Sequence, residues 1–152
     1  MDVDLLCELQ ETQIASFLSC FDPNFYVSES AVRDAVKRTS CFNLIHLPTS
    51  FKVDVFISHG RGFDRTRMQR ATSEKLGDNP FVMVPMTTAE DSIISKLEWY
   101  RKSDETSERQ WDDVSRLVQL LGSSADFDYL REAAAATGVV DLLDRLLVSD
   151  WH

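Results

Sequence analysis

Apolar and polar positions along the chain recur with two different periods. Residues 3–6, 42–47 and 51–57 are short runs rich in Val, Ile, Leu and Phe, the pattern of half-buried strands. Pro48-Thr49-Ser50 separates the last two, which predicts an antiparallel hairpin. Residues 11–21 carry Ile14, Phe17, Leu18 and Phe21 at spacings of three and four, the signature of an amphipathic helix. A second helix is expected from Glu29 through Lys37, with Ser28 as its cap. Two further short strands, 74–76 and 81–84, flank the turn signal Gly77-Asp78-Asn79-Pro80. After Pro85 only the helical period remains: Thr88 caps a helix to Lys102, residues 108–121 form another ending at Gly122, and 126–136 and 139–147 form two more, broken at Gly138.

The pattern predicts an α/β (α+β) protein: a small mixed sheet with packed helices in residues 1–86, followed by a helical region, 87–152, packed on it as one unit. A length of 152 residues suits such a domain, with a real core. The formal charge of −9 argues against sequence-independent nucleic-acid binding, which draws its affinity from Lys and Arg on phosphates. Cys7, Cys20 and Cys41 lack metal-ligand spacing and read as buried, reduced thiols. The sequence shows neither a long apolar run nor a signal-peptide pattern, so no membrane partner and a cytoplasmic location are expected.

The candidate chemistry lies in the acids of the apolar strands. Asp2 and Asp4 are two residues apart in Met1-Asp2-Val3-Asp4-Leu5-Leu6, hence on one face, and Asp54 interrupts Lys52-Val53-Asp54-Val55-Phe56-Ile57. Three converging carboxylates suit magnesium, a hard cation held by a few carboxylates and substrate phosphates. The competing reading makes Asp2 and Asp4 solvated residues of a terminus and Asp54 an edge-strand acid. Lys96 lies beside the apolar face of Ile93, Leu97 and Tyr100, either delivering its ammonium to a phosphate or facing solvent. Asp113, in the following helix, is placed to orient Lys96 through a salt bridge. Arg61, Arg65, Arg67 and Arg70 either screen a triphosphate or an RNA end, or form a solvated basic helix face. His46, His59 and His152 are scattered, without ligand spacing.

Taken in order, Asp2-Val3-Asp4, then Val53-Asp54-Val55, then Asp91 and Lys96-Leu97, then Glu108-Arg109-Gln110-Trp111-Asp112-Asp113, the chain resembles the nucleotidyltransferase superfamily. Within it, the likeness is to the minimal nucleotidyltransferase-like proteins related to the abortive-infection toxins of type IV toxin–antitoxin systems. The resemblance implies Asp2, Asp4 and Asp54 as Mg2+ ligands, with Asp54 also as base. It implies Lys96 on the phosphates of a nucleoside triphosphate and Asp113 behind it; Arg65, of the basic stretch, is counted with them as nucleotide-binding on its charge. The implied reaction moves a nucleoside monophosphate to an RNA or protein hydroxyl, in a toxin-like protein with an antitoxin-like partner.

The family pattern places a Gly-Ser loop before the paired aspartates, where backbone amides grip the triphosphate, and here only Met1 stands before Asp2. The expectation is therefore an N-terminally truncated or inactive member, with a non-catalytic interaction module on the same scaffold as the alternative. An uncovered N-terminal sheet edge would also favour a homodimer.

Overall fold

Strand β1 (Val3–Cys7) lies at one edge of a four-stranded sheet of order β1-β4-β3-β2, in which β2 is Phe25–Val27, β3 Cys41–His46 and β4 Phe51–Ile57. The computed structural model describes residues 3–149. Strand β1 runs parallel to β4, whereas β4 with β3 and β3 with β2 are antiparallel. The sheet is mixed, as the sequence predicts.

Alternation along the strands decides what each face carries. Val53, Val55 and Ile57 of β4 and Phe42 and Leu44 of β3 turn to one side, where they pack with Ile14, Phe17 and Leu18 of α1 (Ile14–Ser19) and Val32, Ala35 and Val36 of α2 (Glu29–Arg38). Ser28 caps α2 by accepting the Ala31 amide at 3.3 Å. Both helices thus lie on the same face. On the other face of the same strands stand Asp4, Asn43, Lys52 and Asp54, the out-of-phase positions of those apolar runs.

Contacts divide the chain into two compact units, the first ending at Arg61 and the second beginning at Gly62. The change of character expected at 86/87 falls inside the second unit. That unit opens with α3 (Gly62–Arg70) and a two-stranded antiparallel sheet, β5 (Thr72–Leu76) and β6 (Val82–Met86). Four helices follow: α4 (Ala89–Lys102), α5 (Glu108–Leu121), α6 (Phe127–Thr137) and α7 (Val140–Ser149). Their core holds Ile93, Ile94, Leu97 and Tyr100 of α4, Val114 and Val118 of α5, Leu130, Ala133 and Ala134 of α6, and Leu142, Leu143 and Leu146 of α7. Side chains of Thr88, Ser107 and Asp126 cap α4, α5 and α6 by accepting the amide of the third residue of each helix. Gly138 ends α6 at φ 75°, a left-handed conformation that costs glycine little.

Two local expectations are corrected. Strand β2 was not expected after Pro23-Asn24; it is three residues long and exists through its pairing with β3, a tertiary contact. The cysteines are not uniformly buried: Cys20 and Cys41 are exposed and Cys7 half-buried, all three as free thiols. Cys41 opens β3 on the Asn43 side of the strand, out of phase with Phe42 and Leu44.

Candidate functional site

The parallel pairing of β1 with β4 sets Asp4 opposite Asp54. Registered residues of a parallel pair share a face, with backbones about 4.8 Å apart, so the two carboxylates stand side by side. Asp4 is exposed, and the Asp54 side chain is 22% exposed. Asn43, opposite Asp54 on β3, donates its Nδ2 to Asp54 Oδ1, and the Lys52 ammonium lies 3.2 Å from the same oxygen. The field of the pair reaches its surroundings: burial first and the Asp54 charge next push the Cys41 thiol up, Lys52 opposes them, and Asp4 adds to the rise.

Two carboxylates of this kind suit Mg2+, which takes hard oxygen ligands and leaves positions to water and substrate phosphates. Asp2, the third expected ligand, lies outside the described residues. Among the described residues no group of three His, Cys, Asp or Glu side chains converges on a metal position.

The second expected pair forms as predicted. Lys96 of α4 and Asp113 of α5 meet at 3.6 Å, Nζ to Oδ2, with side chains 33% and 41% exposed. The reason is local: Ile93, Leu97 and Tyr100 bury one face of α4 against Val114 and Val118 of α5, and Lys96 stands at the margin of that contact. Asp4 and Asp54 belong to the first unit, and Lys96 and Asp113 to the second.

The arginine stretch is resolved residue by residue. Arg67 is 15% exposed, faces the buried Asp64 at 3.5 Å and donates to Ser95 Oγ. Arg70 lies with its guanidinium 3.6 Å from the centre of the Tyr129 ring and its Nε 3.4 Å from Asp91 Oδ2, an ion pair without hydrogen-bond geometry. Asp91 is fully buried, accepts from the Thr88 hydroxyl at 2.7 Å and from the Tyr129 hydroxyl, and its backbone carbonyl takes the Ser95 hydroxyl at 2.9 Å. Burial, and then the bond to Asp91, push the Tyr129 phenol well above its ordinary range. Two of the four basic residues are therefore spent on buried acids within the second unit. The reading of Arg61 to Arg70 as a solvated basic face, or as an RNA contact, does not hold for Arg67 and Arg70. Arg65 is exposed on α3.

Sequence reasoning missed Asn43, Lys52, Asp64 and Tyr129. For Asn43 and Lys52 a signal existed: both fall in the polar phase of strands whose other phase is Phe, Leu, Val and Ile. For Asp64 and Tyr129 none did, because an Asp and a Tyr 65 positions apart in sequence meet the same cluster only through packing of α3, α4 and α6. His46 is accounted for by packing, its ring 5.0 Å from Phe25 and its Nδ1 2.7 Å from Thr49 Oγ1. No family model and no curated protein matches the chain. No helix among the described residues is long and apolar enough to cross a membrane.

Proposed function

We propose that this chain is a nucleotidyltransferase-like protein that takes a nucleoside triphosphate with Mg2+ and transfers the nucleoside monophosphate to an RNA or protein hydroxyl, as the toxin-like member of a pair with an antitoxin-like partner. The observation that carries this reading is the register of Asp4 with Asp54 on the face of the sheet opposite α1 and α2. Like charges side by side on neighbouring strands are costly unless positive charge offsets them; Lys52 offsets part of the charge at Asp54, and a bound divalent cation would add to that offset. When bound, the ion would offset charge on the phosphates and on the leaving pyrophosphate.

In this reading Asp4 and Asp54 hold the cation, with Asp2 as their expected companion. Asp54 also accepts the proton of the acceptor hydroxyl, with Lys52 and the Asn43 amide beside it. In the second unit Lys96 and Arg65 are cations of the kind that phosphate takes, and Asp113 keeps Lys96 in place.

Isothermal titration of ATP with Mg2+ into the protein and into Asp54→Ala tests the reading. Binding that the substitution removes supports it; equal or undetectable binding by both proteins overturns it.

A second reading, a non-catalytic interaction module on the same scaffold, draws on the β5–β6 sheet. Leu76, Phe81, Val82 and Met83 there are each at least half exposed, an apolar surface of the kind that marks contact sites. It predicts nucleotide-independent partner binding that Val82→Lys weakens and Asp54→Ala leaves unchanged.

A further inference from the structure

We infer that Arg145 is a positioning residue for the Lys96–Asp113 pair: it clamps the turn between α4 and α5 and so sets how the two charged side chains meet. That Lys96 then serves phosphate rests on the nucleotidyltransferase-like reading. Arg145, on α7, reaches three partners on the α4–α5 hairpin at once. Its guanidinium lies 4.0 Å from the centre of the Trp111 ring of α5, it donates to the Tyr100 hydroxyl of α4 at 2.9 Å, and it faces Glu105 of the turn at 3.6 Å. Tyr100 and Trp111 meet each other with ring centres 5.1 Å apart. A planar, forked cation suits a stack combined with directed contacts, which a lysine ammonium does not reproduce.

The backbone of the turn shows why it is clamped. Asp104 and Glu105 are consecutive non-glycine residues at φ 53° and 57°, a left-handed conformation that persists where surrounding contacts over-determine it. Glu105 gathers those contacts: its amide donates to the Tyr100 carbonyl at 3.0 Å, and its carboxylate takes Arg101 of α4 at 3.0 Å as well as Arg145. Arg101 in turn holds both carboxylate oxygens of Asp141 on α7, at 2.6 and 2.7 Å. Two arginines thus tie the turn, α4 and α7 together. Tyr100 stands one helical turn beyond Lys96, and Trp111 lies just before Asp113, so the clamp and the ion pair are neighbouring rungs of one helix–helix contact. Leu97 and Val114 in the core fix which faces meet. Lys96 and Asp113 lie at the exposed margin, 3.6 Å apart, where a small rotation of α5 separates them.

The readout is the Lys96 ammonium signal in heteronuclear NMR spectra of the lysine side chains, assigned with Lys96→Arg, with circular dichroism checking that each variant is folded. Asp113→Asn gives the position of the unpaired ammonium. Arg145→Met should move the Lys96 signal most of the way there, and Arg145→Lys, which restores the charge facing Glu105, should bring it part of the way back. A contribution of Arg145 to stability alone leaves the signal of the folded protein at its wild-type position. A signal unmoved by Arg145→Met, or moved and not brought back by Arg145→Lys, overturns the inference. If Arg145→Met does not fold, Glu105→Gln, which removes the charge that Arg145 faces, decides by the same movement. Isothermal titration of ATP with Mg2+ separates this from the reading on which its use rests: Arg145→Met should weaken binding about twofold to fivefold, the worth of one exposed ion contact. Unchanged ATP binding while the Lys96 signal moves overturns the phosphate role of Lys96 and leaves the positioning standing. Absence of ATP binding by the wild type overturns the nucleotidyltransferase-like reading, and the Lys96 signal still decides the positioning.

Discussion

Replacing Asp91 with Ala removes one fully buried carboxylate on which three elements depend. Its side chain accepts from the Thr88 hydroxyl at the start of α4 and from Tyr129 of α6, and it faces Arg70 at the end of α3. Breaking a buried ion pair by deleting one partner costs about 3–5 kcal/mol, chiefly because the other charge is left uncompensated. The Arg70 side chain is 31% exposed and can turn part of its guanidinium to water, which places this case near the lower end, about 3 kcal/mol. A domain is stable by only about 5–15 kcal/mol, so the loss is a large fraction of the total. No tryptophan precedes residue 99, and Trp99 and Trp111 belong to the second unit, so tryptophan fluorescence follows that unit. Urea titration read by that fluorescence should show the midpoint falling by roughly 2 M for a unit of this size. Tyr129→Phe, which removes one donor to a charged acceptor, should cost about 2 kcal/mol. The double variant should cost less than the sum, since both act on the same bond. An unfolding free energy for Asp91→Ala within about 0.5 kcal/mol of the wild type would refute the account of this cluster as the tie between α3, α4 and α6.

Other outcomes are open to direct measurement. The Tyr129 phenol has a raised folded-state value, so the folded unit holds its proton above the usual tyrosine range while the unfolded chain releases it. The stabilisation is complete at neutral pH and is lost as pH rises beyond about 10, a decline that Tyr129→Phe should flatten in fluorescence-detected urea titrations. Asp141, held below its usual range first by its hydrogen bond to Arg101, has the opposite sign. Its contribution is present above about pH 4 and lost on acidification, and Asp141→Asn should remove that acid-side dependence, an effect that weakens in high salt. Arg67→Ala should destabilise the second unit in urea while leaving any RNA affinity unchanged in a gel-shift titration, because its charge is committed to Asp64. Ile14→Ala, at a fully buried position of the first unit, should cost about 2–5 kcal/mol and show in far-ultraviolet circular dichroism with little change in the tryptophan signal.

The sequence by itself determined the elements and the local rules that end them. The caps at Ser28 and Thr88, the stop at Gly138, and the polar phase of β4 that holds Asp54 are set within a few residues, by unsatisfied amides and by strand alternation. The Lys96–Asp113 pair was legible for a related reason: both sit on long amphipathic helices whose apolar faces dictate how they meet. Only the tertiary structure decided that β1 lies parallel to β4 with Asp4 opposite Asp54, since register across many residues of chain depends on which backbones pair. It also decided the fate of the arginines. A run of basic residues looks alike whether solvated or buried, and the acids that pull Arg67 and Arg70 inward are supplied, for Arg70, by a helix folded back against α3. Long-range charge pairing has no period along the chain, so packing alone could place it.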